Sequence, residues 1–511
     1  MARRTRHSLA IRLLAGLAAC VSLPCIGEIL ADDPALTTPA QQKAPNAFAE
    51  GSPKPVLNWG KGDGKSYWLT AFDIITFDVL LNRVDRYLID KDDYNVTLDS
   101  FRRNLGGKWV VDNDPFAINQ FGHPYQGSMY HGFARSAGLS YWESSAATLL
   151  GSLFWEVSGE TTPPSINDQF TTGIGGSFLG EPLFRLSSLL LESGTGRPGL
   201  LRELAAALIS PSTGFNRAAY GSRFDGVFRS RAPAVYTRVQ LGVNVHADVS
   251  SNIDANRVIG EPAIPQSYKN GEGTADFTVA YGLPGKPDYR YDRPFDYFHL
   301  EFTASTKNVI ENLITRGLLI GEPYSVGNNV RGVWGLYGSY DYISPQIFRV
   351  STTSGGIGTT NQVWLSDKVA LQSTALASLG YGSAGAIRGA GERDYHNGIA
   401  PQGLLTSRLI LGDRVSFEAT LRDYYVGGLA SRETSGSENI ARAEVAMTAR
   451  IYNLHGLTLK YTHSRRDARY DDTGNTRQSV GVFSLAYSYL GQTRFGAVDW
   501  RPQLGEQAPA P

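Results

Sequence analysis

Cysteine is nearly absent from this chain: 511 residues contain two, Cys20 and Cys25. Two thiols build neither a disulfide framework nor a four-thiolate metal site. Net charge is missing as well, with 48 Lys+Arg against 48 Asp+Glu and a sequence pI near 7.1. That balance argues against a polyelectrolyte that binds nucleic acid. Beyond the N-terminus no run of about 18 apolar residues occurs, which excludes a polytopic helical membrane protein. What the chain has instead is 56 Gly and 56 aromatics, 26 of them Tyr, and both Gly and Tyr run above globular averages.

The first residues read as an address. Arg3, Arg4, Arg6 and Arg12 form a basic region, and an apolar stretch follows from Leu13 to Ile26. It is too short to span a bilayer and fits a cleaved secretory signal peptide over residues 1–31. Cleavage after Ala31 removes four Arg and Glu28, leaving 44 basic against 47 acidic residues and no cysteine. A chain exported without disulfides must be stabilised by closure or packing. Leu17-Ala18-Ala19-Cys20 offers the alternative of lipidation at Cys20.

Residues 32–59 are rich in Pro, Ala, Gln and Lys without periodicity, a disordered linker. From Tyr67 the pattern turns helical, with Trp68, Leu69, Phe72, Ile75, Phe77, Leu80, Leu81 and Val84 on one broad apolar face. A second helical pattern covers 127–159. A third covers 167–192, with Ser165 as its N-cap after Pro163-Pro164.

Near Ala234 the period switches from 3.6 to 2. From Val235 to Val249 the odd positions are Val, Thr, Leu or Ala, while the even ones include Arg238, Gln240, Asn244, His246 and Asp248. The same alternation recurs near 273–282, 295–305, 309–321, 330–343, 368–382, 395–411, 414–426, 438–452, 456–465 and 478–490. A soluble periplasmic β-sandwich acting as a binding protein would show alternation in shorter strands, about 5–6 residues. Outer-membrane barrel strands run about 9–11 residues or more, apolar outward and polar inward, with aromatic girdles. The lengths, the Tyr and Trp near run ends and the export signal favour a mainly β fold, an antiparallel transmembrane β-barrel of residues 232–491. Eleven runs, plus a poorly patterned stretch at 346–366, predict twelve strands, since single-chain bacterial barrels have even numbers. Residues 492–511 read as a C-terminal tail.

The densest motifs lie at 114–185. They include Asn119-Gln120-Phe121-Gly122-His123-Pro124-Tyr125-Gln126-Gly127-Ser128, Gly151-Ser152-Leu153-Phe154-Trp155-Glu156 and Pro164-Ser165-Ile166-Asn167-Asp168. In this order they resemble a bacterial family designated domain of unknown function 3943, strongly over residues 60–230. The resemblance implies an outer-membrane protein of Gram-negative bacteria and no particular activity. Any mechanism has to come from the residues.

On one helix, Ser128, His131 and Arg135 share a face. An enzyme reading takes His123 or His131 as base, Ser128 or Ser165 as nucleophile, and Asp168, Glu156 or Glu160 as orienting carboxylate. Such an enzyme would be an envelope lipid hydrolase or acyltransferase. Against it, buried polar groups need partners whether or not chemistry occurs. Arg135, Asn167, Glu181 and Arg185 are candidate binding residues. Gly173-Ile174-Gly175-Gly176 does not complete a dinucleotide fingerprint, and the histidines show no metal spacing, so neither cofactor nor metal is expected. In Tyr461-Thr462-His463-Ser464, adjacent His and Ser face opposite sides of a strand, which departs from the His-x-Ser strand motif of outer-membrane lipid hydrolases. Arg465 and Arg466 are expected at a rim.

The sequence therefore predicts an outer-membrane barrel of structural or transport-related role, whose helical region 60–231 fills the lumen as a plug or caps its periplasmic end. Its expected partners are outer-membrane lipid and the barrel-assembly machinery, without nucleic acid.

Overall fold

A computed structural model describes residues 64–500, apart from 89, 113, 195–196, 222–223, 225, 252–270, 346–347, 387–392, 394, 429–435 and 471–473. The signal peptide with Cys20 and Cys25, the linker, and residues 501–511 of the tail lie outside the described residues.

Twelve antiparallel strands close into one barrel. They are β1 (Val235–Ser251), β2 (Gly271–Tyr281), β3 (Phe298–Ser305), β4 (Asn312–Val326), β5 (Val330–Ile343), β6 (Phe348–Ser366), β7 (Val369–Ala386), β8 (His396–Leu411), β9 (Val415–Gly428), β10 (Gly436–Tyr452), β11 (His455–Tyr470) and β12 (Gly474–Leu490). Each pairs with its sequence neighbours, and β1 pairs with β12 to shut the seam. Closure satisfies every edge without a disulfide. The poorly patterned stretch is β6, the longest strand at 19 residues. Its alternation is faint because Ser, Thr and Gly occupy both faces.

The register tells inside from outside. Arg238 on β1 reaches Glu418 on β9 at 2.8 Å, and Arg422 on β9 reaches Glu301 on β3 at 3.3 Å. Strands so far apart in the ring meet only across the lumen, so these positions point inward. Their alternates point outward: Leu241, Val243 and Val245 on β1, and Phe483, Leu485 and Tyr487 on β12, are exposed. The barrel is thus apolar outside and polar inside, the arrangement expected of a wall facing lipid. As the alternation requires, Ser464 is buried on the inner face and pairs with Val480. Of the two rim arginines only Arg465 sits on the outer face, ion-paired with Asp467. Arg466 points into the lumen instead, where it forms a two-pronged pair with Glu438 at 2.5 and 2.7 Å.

Helices precede the barrel: α1 (Tyr67–Leu88), α2 (Leu98–Gly106), α3 (His123–Ser136), α4 (Tyr141–Ser158), α5 (Gly176–Glu192), α6 (Leu200–Ile209) and α7 (Pro211–Tyr220). The expected single helix over 127–159 is two, α3 and α4. Gly138 takes φ +92°, a backbone state that glycine adopts without penalty. Ser140 then caps α4 in a capping box with Glu143. The third pattern begins as predicted, with the Ser165 side chain accepting from the Asp168 amide. It passes through a π-helical segment, Gln169–Gly175, before α5.

The helical region neither fills the lumen nor caps the mouth, so both expected placements are corrected. It docks on the outer wall. Thr315, Tyr340 and Thr353 are register partners in a row across β4, β5 and β6. All three point outward, because Thr315 alternates with the lumen-facing Arg316. The Thr315 hydroxyl donates to the Phe178 carbonyl, the Tyr340 hydroxyl donates to the Gln120 carbonyl, and Thr353 lies against Gly175. One apolar cluster joins Phe178, Leu186 and Leu190 of α5 to Phe277, Val279, Leu300 and Tyr340 of the wall. The sequence misled here because strands β2–β6 alternate in the same way whether helices or lipid cover their outer face.

The tail is structured through Trp500. A 3-10 turn, Thr493–Gly496, folds back across the barrel mouth where β1 begins and β12 ends. The carbonyls of this segment accept from the wall across the mouth from that seam, strands β6 to β8: Gly496 from Gln372, Phe495 from Arg408, Val498 from Gln362 and Trp364. Phe495 is fully buried beside Tyr236 and Leu490.

Candidate functional site

Two helices dominate the interior of the helical region. Almost every residue of α3 and α5 is buried, and glycine lets them approach closely. A Cβ at Gly176 would lie 2.5 Å from the Gly127 Cα, and one at Gly180 would lie 3.1 Å from the Ser128 Cα. The side chains between them are polar, so hydrogen bonds and ion pairs must satisfy the interface.

The first cluster centres on Glu181. Its carboxylate accepts from Arg135 at 2.7 and 3.1 Å, from Arg185 at 2.8 Å, and meets His131 Nε2 at 3.0 Å. Arg185 then leaves the helices, donating to Asp296 at 2.9 Å and to the Pro294 carbonyl at 2.5 Å in the β2–β3 connection. Arg293 pairs with the same Asp296 at 3.1 Å. Glu181, Asp296 and His131 are fully buried. Phe184 stacks on Arg135 at 4.6 Å and Phe228 on Arg293 at 4.5 Å. Three of the four expected binding residues, Arg135, Glu181 and Arg185, therefore converge. What they bind is one another and the barrel loop.

The second cluster sits toward the other end, around Asp112. Asn119 donates to its carboxylate at 2.5 Å and Asn167 at 2.9 Å, while the Asp112 amide donates to Asn167 at 3.0 Å. Asn119 also donates to the Tyr395 hydroxyl at 2.9 Å, and that hydroxyl donates to the Asp114 carbonyl at 2.7 Å. This ties the helices to the segment before β8. Asp114 pairs with Arg393 at 3.1 Å. Burial, reinforced by neighbouring Asp112, raises the Asp114 carboxyl above its ordinary range against the pull of Arg393.

The catalytic candidates divide between these clusters. His131 belongs to the first. His123 Nε2 lies 3.6 Å from Asp168 in the second. Ser128 donates to the Tyr125 carbonyl at 2.6 Å, within its own helix. Ser165 donates to Asn167 at 2.8 Å while its backbone amide donates to Glu156 at 2.7 Å. Glu160, just beyond α4, accepts from Trp155 and Thr162 at 2.9 Å each. Both candidate nucleophiles thus have their hydroxyls turned to backbone or amide partners rather than to an imidazole. Among the described residues, no cluster of His, Asp and Glu is placed to hold a metal ion.

Two central residues escaped the sequence reading. Asp112 lies two positions before the motif-dense segment, and extending that segment slightly would have included it. Asp296 is 111 residues from Arg185 and falls in the strand run expected from 295, whereas it lies in the connection before β3, so nothing local marks its pairing with a helix.

A third polar assembly fills the lumen. Glu418 accepts from Arg238 and pairs with Arg408 at 2.7 Å, Arg422 reaches Glu301, and the Tyr424 hydroxyl donates to Asp341 at 2.7 Å. Between these groups remains a cavity of about 70 Å³, lined by residues including His299, Arg316 and Thr406. That is room for a few water molecules.

Comparison with solved structures gives β-barrels at low similarity. An outer membrane channel from Pseudomonas putida F1 is 10% identical with TM-score 0.27, covering 50% of this chain and 96% of its own. The toluene transporter TodX of Pseudomonas putida is 10% identical with TM-score 0.21, covering 50% and 89%. The outer membrane channel DcaP of Acinetobacter baumannii is 9% identical with TM-score 0.23, covering 52% and 99%. Likeness at this level bears on neither substrate nor activity. No curated protein sequence matches the chain. Residues 108–212 do match the model of a family described as Domain of unknown function (DUF3943), and the matched stretch includes Asp112, Arg135, Asn167, Glu181 and Arg185.

Proposed function

We propose that this protein is an outer-membrane β-barrel with a transport-related role, whose lumen admits small polar solutes once the segment across its mouth moves. The supporting observation is the lumen itself. Arg238, Arg408, Glu418, Glu301 and Arg422 meet across it, and residues 491–498 bridge opposite walls below. Opposite charges lining a narrow conduit bind and release ions without large single-sign barriers. Short turns join β4–β5, β6–β7, β8–β9 and β10–β11 at the end where the chain enters and leaves. In outer-membrane barrels the short turns face the periplasm, so the covered mouth is the periplasmic one. Export through a cleaved signal peptide and insertion by the barrel-assembly machinery belong to this reading.

Planar-bilayer conductance tests it. The full chain is expected to conduct weakly, and the double variant Phe495→Ala, Trp500→Ala, which unseats the segment, to conduct more. Glu418→Gln should shift selectivity toward anions, because Arg238 and Arg408 lose their counter-charge. A refolded barrel that stays silent in both variants would overturn the transport reading and leave a structural role.

A further inference from the structure

We propose that the helical domain lies within the bilayer, beside the barrel, with lipid acyl chains covering its outer surface. The inference rests on the outer-membrane reading of the barrel and extends it to a part of the chain that no membrane-spanning pattern marks.

The helices are built inside out. In α1 the buried positions include Thr70, Asp73, Asp78 and Asp85, whereas Trp68 is 88% exposed and Phe72, Ile75, Leu80 and Val84 are exposed beside it. Two of these α1 carboxylates have hydroxyl partners within the domain: the Asp78 carboxylate accepts from the Tyr130 hydroxyl, and the Asp73 carboxylate accepts from the Tyr220 hydroxyl at 2.5 Å. In α4, Ser144, Thr148 and Ser152 face in, while Trp142, Leu149, Leu150 and Leu153 face out. In α6, Leu201 is 80% exposed, with Leu200 and Leu204 exposed beside it. In α7, Ser212, Thr213 and Asn216 are buried and Phe215 is exposed. A water-soluble domain turns these stripes the other way. Three helices agreeing on the reverse orientation, with the exposed leucines of α6 beside them, form a surface whose solvent is hydrocarbon.

Position gives the second argument. Val239 of β1 is buried in the same apolar cluster as the helices. Two residues along the same strand face, Leu241 is exposed and pairs with Tyr487 of the bare wall. The footprint of the helices therefore abuts the exposed apolar belt at the same height on the barrel. A bilayer that meets the belt runs sideways into the domain. The lengths fit too: α1 has 22 residues, about 33 Å at the helical rise, against a hydrocarbon core of about 30 Å. Its flanking charges gather at the ends, Lys65 before it and Arg83 and Arg86 in its last turns, where long side chains reach the interface. No helix among the described residues is long and apolar enough to cross a membrane unaided. The inward carboxylates of α1 show how that and immersion coexist, since the polar half of each helix is sealed by its neighbours.

The test is photocrosslinking in cells. A benzophenone amino acid is placed singly at Phe72, Leu150 and Leu204 of the full chain, with Leu485 on the bare belt and Arg290 in the exposed β2–β3 connection as references. Lipid adducts at the three helix positions, in yield comparable to Leu485 and lost at Arg290, are the expected result. Adducts at Leu485 without any at the helix positions would overturn the proposal while leaving the barrel in its membrane. Absence at Leu485 as well would overturn the membrane reading itself. Crosslinks from the helix positions to a second copy of the chain, in place of lipid, would overturn lipid as the occupant.

Discussion

The barrel and the helical domain solve one problem with two periodicities. In the barrel, alternate residues send Arg238 inward and Leu241 outward. In the domain, every third or fourth residue does the same, sending Asp78 inward and Leu80 outward. Their interiors differ in how polarity is satisfied. The barrel's charges meet across a lumen that keeps a cavity of about 70 Å³. The domain's charges are packed dry, between glycines in near contact, with Glu181 holding two arginines and a histidine. A wet interior tolerates the loss of one charge far better than a dry one.

That contrast sets an order of expected effects. Glu181→Ala leaves Arg135 and Arg185 buried without their shared counter-ion, a loss of about 3–5 kcal/mol. Thermal unfolding in detergent is expected to show the helical domain released first, with heat-modifiable gel migration of the barrel retained. Leu150→Arg puts a cation on the outer helix face and should cost about 2–4 kcal/mol, the price of Arg on a lipid face at mid-depth. The same change on a water-facing surface falls within about 0.5 kcal/mol, so refolding yields in vesicles separate the two solvents. Gly176→Ala should cost about 1–3 kcal/mol by overpacking against Gly127, read as a lowered midpoint for domain release alone. Smallest is Glu418→Gln, where the amide keeps an acceptor for Arg238 and Arg408 beside the lumen cavity, an effect visible in ion selectivity more than in stability. Equal costs for Glu181→Ala and Glu418→Gln would erase the distinction between dry and wet interiors.

The strands were readable in the sequence because period 2 leaves a trace that survives burial on either side. Even β6, whose outer Thr353 lies on the helix-covered face, was missed only in its regularity. The helices were half readable. The apolar stripe of α1 is where the sequence puts it, but a stripe states a face and not the solvent that the face meets. Trp68, Phe72 and Leu80 would look the same buried in a plug or bathed in lipid. The break between α3 and α4 was marked by Gly138 and by Ser140 three residues before Glu143, and went unread because small residues continued on both sides. Within the site, Ser165 announced its cap, whereas the pairing of Arg185 with Asp296 depends on two segments that only the closed barrel brings together.

The seam between β1 and β12 joins strands about 250 residues apart along the chain, whereas α3, α4 and α5 contact one another within about 70. Short-range contacts form before distant ones, and the N-terminal part leaves the ribosome first. The helical domain is thus able to gather the Glu181, Arg135 and His131 part of its polar interior before any barrel exists, leaving the Arg185–Asp296 pair for later. It would then serve as the template on which β2 through β6 line up, with the carboxyl-terminal turn fastening both ends of the ring last. Assembly would run from an oily helical scaffold outward around the ring, and the last hydrogen bonds made would be those that lock the mouth.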